Sequence, residues 1–279
     1  MGLESEREVE FSFLTQIQML IMYPTNEVHL TYQLAFLINF VICAYLMKLI
    51  SACLTPRLSR SEFNDFFFTT PFLSVRSLRR GTKPLPYPLF LNILLFGVLS
   101  ITMLIISKKY MQPLSYLDVV ILSPAIYFST QVVGAVGQLV FSPSGERGFP
   151  IHANPFKAST LGRFWGRHWN LWVQDWLRDV SYALRARPTY QKILFTFFIS
   201  GLFHEVMFNL PYFILYKKSY FGLMILYFII QAMGLLIEKK FLKGTPGWLN
   251  RLYLWIVVIL PSPIFISTPF LKFLGLIHE

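Results

Sequence analysis

The sequence predicts an all-α, polytopic transmembrane protein of about six to seven spans, with one added interfacial amphipathic helix. Three observations carry this. Apolar residues make up 54% of the 279 residues and charged residues only 14%, against about 25% charged in soluble domains. The apolar residues gather in stretches near the ~20 that a helix needs to cross a hydrocarbon core of ~30 Å. The Lys and Arg residues behind the net charge of +11 lie mostly between those stretches. Lipid headgroups therefore account for the basic balance, and nucleic acid is not an expected partner.

Taken in order, the first ten residues, MGLESEREVE, are acidic and have no basic n-region, so no cleavable signal peptide is expected. Gly2 is followed by Glu6 where a myristoylation signal wants Ser or Thr. Residues 11–24 are apolar but short and include Gln16 and Gln18. They are expected at the interface, with a tilted span as the alternative. The candidate spans are 30–50, 88–107, 117–141, 193–216, 219–237 and 252–274. The third carries Gly134 and Gly137, which allow close helix contact. The last holds Pro261, Pro263 and Pro269, so it should be kinked or broken. Cys43 and Cys53 have neither zinc-site nor disulfide-framework spacing and are expected to pack. With no repeat, low-complexity tract or linker, residues 1–279 are expected to form a single membrane-embedded domain. The segments 51–87, 142–192 and 238–251 are rich in Lys and Arg, whereas the other short loops hold only the pairs Lys108–Lys109 and Lys217–Lys218. Six spans put the three rich segments on one side, which should be cytosolic.

The stretch LGRFWGRHWNLWVQDWLRD within 161–187 is too polar to span. At 100° per residue, Trp165, Trp169, Trp172 and Trp176 form one stripe. Arg163, Arg167, Asn170, Gln174 and Arg178 fall opposite. Indoles on one face and guanidiniums on the other describe an interfacial helix, and a membrane-surface helix without chemistry is the competing reading.

His204 and Glu205 sit near the centre of the span 193–216. Ionisable groups at that depth cost about 2.5–3.5 kcal/mol or more and usually face a cavity or a protein partner. Ser200 and Gly201 lie one turn before His204, and Asn209 one turn after Glu205. A structural His–Glu clamp between helices is the alternative to a functional pair. The string starting His204-Glu205 fails the zinc pattern H-E-x-x-H because position 208 is Phe, so no metal is expected. A lone histidine in a membrane cavity suits general-base chemistry near neutral pH, deprotonating a hydroxyl that attacks an activated acyl group. An amide such as Asn170 suits orientation of a carbonyl or stabilisation of an oxyanion. Glu205 either orients the imidazole or completes a polar helix contact. Glu238, near the end of a span, is expected to be structural.

The segment Phe164-Trp165-Gly166-Arg167-His168-Trp169-Asn170 resembles the F-W-G-R-R-W-N/H signature of the wax synthase-like branch of the membrane-bound O-acyltransferase (MBOAT) family. The lead-in Asn154-Pro155-Phe156 and Thr160-Leu161 fits as well. Ser200-Gly201-Leu202-Phe203-His204-Glu205 resembles the family block S-G-L-x-H-E, in the same order along the chain. The resemblance implies an MBOAT-like fold, His204 as the catalytic histidine and Asn170 as its partner residue. It implies acyl-CoA as co-substrate, with no tightly bound cofactor and no metal. The acceptor would be the hydroxyl of a terpenoid or long-chain alcohol, the acyl group acetyl or fatty acyl, and the compartment the endoplasmic reticulum. Arg163, Arg167, Trp165 and Trp169 are the candidate CoA-binding residues, the arginines as contacts for the phosphates and the two indoles as setting helix depth rather than touching substrate. Lipid headgroups are the alternative ligand for both arginines. Two positions depart from the pattern: His168 replaces the second Arg, and Arg163 replaces an acidic residue. The chain is also short for the family, which implies one or two fewer N-terminal spans. The rival readings are a non-catalytic scaffold and a transporter that uses the His204–Glu205 pair.

Overall fold

The computed structural model describes residues 27–55, 58–80, 89–110, 115–141, 150–184 and 186–276. The segment 11–24 lies outside them. Among the described residues all regular structure is helical. We label the helices α1 (Glu27–Leu54), α2 (Arg60–Phe68), α3 (Val75–Arg80), α4 (Leu89–Tyr110), α5 (Tyr116–Phe141), α6 (Leu171–Ala183), α7 (Thr189–His204), α8 (Leu210–Tyr216), α9 (Leu223–Phe241), α10 (Gly247–Ile259), α11 (Ser262–Phe265) and α12 (Thr268–Phe273).

Among the described residues, each expected span falls largely on helix. Among the same described residues, four helical stretches are long and apolar enough to cross a membrane: Thr31–Leu54, Tyr116–Val140, Thr189–Tyr216 and Gly247–Phe265, beside the six to seven expected of the whole chain. Only Leu91–Ser107 of α4 is apolar enough, which makes it short, and α9 ends in the charged run Glu238, Lys239, Lys240. The proline-rich end is broken as expected: α10 stops at Ile259, and the chain continues as the short helices α11 and α12. Leu37, Ile38, Val41 and Ile42 of α1 and Leu94, Leu95, Val98 and Ile101 of α4 are exposed, as suits side chains meeting hydrocarbon. The chain is an integral membrane protein.

The basic segment 51–87, expected as a loop, contains α2 and α3. A capping box starts α2: the Ser59 side chain accepts from Glu62 N–H, and Glu62 accepts from Ser59 N–H. The opposite end of α2 is closed from α1. Lys48 Nζ donates to the carbonyls of Phe66 (2.8 Å), Phe67 (3.2 Å) and Thr70 (2.7 Å), matching a cation to the negative end of the helix.

A buried polar layer joins α1, α3 and α6. Asp179 Oδ2 accepts from Ser51 Oγ at 2.8 Å and Ser74 Oγ at 2.5 Å, and its Oδ1 from Arg76 Nε at 3.1 Å. Asp175 accepts from Ser77 Oγ at 2.8 Å and Arg178 Nη1 at 3.0 Å. Buried carboxylates are tolerable because they are hydrogen-bonded in this way. The glycines of α5 do bring a neighbour close, but that neighbour is the segment after it: a Cβ on Gly134 would stand 2.6 Å from Ile151 Cγ2, and one on Gly137 3.3 Å from Trp172.

Candidate active site

The stretch predicted as one interfacial helix is divided. Thr160 caps a single α-helical turn, Leu161–Arg163. The chain then forms a π-helical turn, Phe164–His168, closed by Trp169 N–H donating to the Phe164 carbonyl at 2.9 Å. Asn170 follows at φ 42°, ψ 65°, and α6 begins. The extra residue of a π turn and the left-handed residue both disrupt the 100° spacing. The four indoles therefore leave the common stripe. Trp165 and Trp169 pack on each other and on Phe164. Trp172 meets Phe72, and Trp176, 1% exposed, meets Phe203 and donates to the Met47 carbonyl. Two polar residues expected on the opposite face also turn inward to carbonyls freed by the π turn. Gln174 Nε2 donates to Trp165 O at 2.8 Å, and Arg178 Nη2 to Gly166 O at 2.7 Å.

Asn170 caps α6 through Oδ1, which accepts from Val173 N–H at 3.3 Å. Its left-handed backbone is one that Asn tolerates better than most residues. The cap uses the amide oxygen and leaves the NH₂ group as a donor. The Asn170 backbone N–H donates to His152 Nδ1 at 3.0 Å. Glu238 closes the other end of the motif, accepting from the N–H groups of Leu161 and of Gly162 (2.9 Å). This gives the structural role expected of it a definite form. Trp165 Nε1 lies 3.3 Å from Gln231 Oε1 on α9.

His204 ends the regular part of its span. The next five residues, Glu205–Asn209, form a second π turn. Pro211 has no N–H to offer the preceding turn, and α1 supplies donors instead. Asn39 Nδ2 donates to Val206 O at 2.5 Å, and the Tyr32 hydroxyl lies 3.0 Å from Phe208 O. The His204 ring is set by Nδ1–H donating to Ser200 O at 2.7 Å, which leaves Nε2 as the site that can accept a proton. Its face meets Phe228 at 4.7 Å and Phe265 at 5.3 Å between ring centroids. Phe228 also meets Trp165 at 5.9 Å. One aromatic cluster thus joins the two motif blocks.

The Glu205 carboxylate turns away from the imidazole. Its Oε1 accepts from the N–H groups of Gly222 (2.8 Å), Met224 (2.8 Å) and Ile225 (3.2 Å), and its Oε2 from Asn209 Nδ2. It is 1% exposed and caps the start of α9. Of the two roles open for it, the geometry matches the polar helix contact. Arg163 and Arg167 are exposed; Arg163 Nη1 reaches Ser159 Oγ at 3.2 Å. Trp165 and Trp169 are half-buried. Among the described residues no group of three His, Cys, Asp or Glu side chains could hold a metal ion.

Residues 149–229 match the model of the membrane bound O-acyl transferase family, a range that holds both motif blocks. The chain is similar to diacylglycerol O-acyltransferase 1 of Dictyostelium discoideum, with 24% identity over 63% of this chain and 30% of that protein. It is 30% identical to acyl-CoA–sterol O-acyltransferase 1 of Arabidopsis thaliana over 41% of this chain and 37% of the relative. Similarity to the probable long-chain-alcohol O-fatty-acyltransferase 3 of Arabidopsis thaliana is 29% over 50% and 42%. The resemblance read from the two blocks is borne out by these matches, and the chain spans about a third of the length of the first two relatives.

Proposed function

We propose that this chain is an acyl-CoA-dependent O-acyltransferase that esterifies the hydroxyl of a hydrophobic alcohol at the membrane. The carrying observation is His204, set by Nδ1–H to Ser200 O within the family-matched range, with Nε2 left to work. Nε2 takes the acceptor's hydroxyl proton as the alkoxide attacks the thioester carbonyl. The C–O bond forms, the tetrahedral intermediate expels the CoA thiolate, and the imidazolium returns the proton to sulfur. The Asn170 NH₂ donates to the carbonyl oxygen as its negative charge develops. Arg163 and Arg167, exposed on the motif, bind the CoA phosphates, and Trp165 and Trp169 hold the depth of that segment. The acceptors named for the relatives are a diacylglycerol, a sterol and a long-chain alcohol. They share a hydroxyl on a large apolar body, and we assign that class here, with the endoplasmic reticulum as the compartment.

The test is transfer from labelled acetyl-CoA and palmitoyl-CoA in membranes that hold this chain. Long-chain alcohols, sterols, terpenoid alcohols and diacylglycerol serve as pooled acceptors. Ester formed by the natural chain and lost in His204→Ala is expected, and the preferred donor gives the acyl class. No ester from folded protein with any acceptor, or equal ester from His204→Ala, refutes the proposal.

A further inference from the structure

His152 lies two residues before the Asn154-Pro155-Phe156 lead-in and belongs to neither motif block. It is 4% exposed. Its ring lies 4.4 Å from Trp169 and 5.3 Å from Tyr127 between centroids. Nδ1 accepts from the Asn170 backbone N–H at 3.0 Å, so the ring proton sits on Nε2, which lies 2.8 Å from Thr130 Oγ1 on α5. The Thr130 hydroxyl in turn lies 2.8 Å from the Ile126 carbonyl. A continuous line of hydrogen bonds therefore runs from α5 through the imidazole to the backbone of Asn170. Two main-chain bonds flank it: Ala153 N–H to His168 O at 2.9 Å, and Leu171 N–H to Ile151 O at 2.7 Å. The His168 ring also donates to the Ala153 carbonyl, at 2.5 Å. Burial holds the His152 imidazolium down to about 3, in keeping with a neutral ring that accepts at Nδ1.

We infer that His152 is a positioning residue for acyl transfer, holding the left-handed turn that presents the Asn170 amide; this rests on the activity proposed above. The turn needs such a hold. Asn170 stands between a π-helical turn and the first turn of α6, at a positive φ, with no regular helix on its N-terminal side. His152 fixes the N–H of this residue without touching its side chain. Ring and amide therefore act in series, and loss of the first should count only while the second is present.

The experiment is a double-mutant cycle in the acyl-transfer assay. Asn170→Gly removes the amide but permits the positive φ and keeps the backbone N–H. We expect His152→Ala to lower kcat about tenfold to a hundredfold, the scale of a misplaced catalytic group, with the donor KM changed less than threefold. In the Asn170→Gly background it should cause no further loss. His152→Asn, whose Oδ1 can accept from the Asn170 N–H, should recover most of the rate and serves as the test if the Ala variant does not fold. Thr130→Val should give an intermediate loss. Equal losses in both backgrounds, or full activity of His152→Ala, overturn the inference and leave the proposed activity standing. No ester from the natural chain overturns both.

Discussion

Replacing Glu205 separates a helix cap from a catalytic acid. The carboxylate accepts three backbone N–H groups at the start of α9 and the Asn209 amide. Glu205→Ala removes the cap, a loss of about 1–2 kcal/mol. It also strands at least the N–H of Met224, a fully buried residue, at about 1–3 kcal/mol more. The sum is about 2–5 kcal/mol, a fall in melting temperature of roughly 4–20 °C for a chain of this size. Glu205→Gln keeps one acceptor oxygen for the α9 amides and turns an NH₂ toward Asn209. Asn209 Oδ1 is buried without a hydrogen-bond partner, so an amide flip can receive it. The Gln variant should therefore lose only the charge-assisted share, about 1–2 kcal/mol. The assay is thermal unfolding of purified protein in detergent, beside acyl transfer per folded molecule. Stability should fall in the order natural, Gln, Ala, with transfer per folded Gln variant within a few-fold of the natural chain. A Gln variant that melts at the natural temperature but transfers nothing refutes the reasoning, because Glu205 would then act on the imidazole or the substrate.

Gly201→Ala would place a Cβ 2.7 Å from Ile225 Cα and 3.3 Å from Ile225 N. Both are backbone atoms, so α7 and α9 must part; a loss of about 1–3 kcal/mol and weaker transfer are expected, measured by unfolding and by the ester assay. Gly166→Ala meets nothing within 4 Å and should behave as the natural chain in both measurements. Lys48→Met strands the last carbonyls of α2, so hydrogen exchange should quicken across 60–70 while α7 and α9 keep their protection. His152 makes stability depend on pH. Burial lowers its pKa from the ordinary 6.5 to about 3, so the unfolded chain binds a proton that the folded ring refuses. Its contribution is complete above pH 6.5 and is lost on acidification, at up to about 1.4 kcal/mol per pH unit down to the folded value. Unfolding midpoints followed against pH should fall less steeply on acidification below pH 6.5 in His152→Asn than in the natural chain.

The sequence by itself determined the helical membrane class, the positions of the six apolar stretches and the broken C-terminal one. It also determined the two blocks around Asn170 and His204, which the family match at 149–229 contains. These features are local. Apolar length, proline content and short motifs are read from neighbouring residues, and lipid as solvent makes the apolar signal strong. Tertiary structure alone decided how the blocks are held. The Asn170 turn hangs on His152, 18 residues away, and the motif's first turn on Glu238, 77 residues from Leu161. The carbonyls of the π turn after His204 are met from α1, 167 and 176 residues away. The indole stripe failed for the same reason. A helical projection assumes one regular rotation, whereas a π turn and a left-handed Asn persist here because distant side chains satisfy the backbone groups they expose. Those long-range partners leave no periodic trace in the chain.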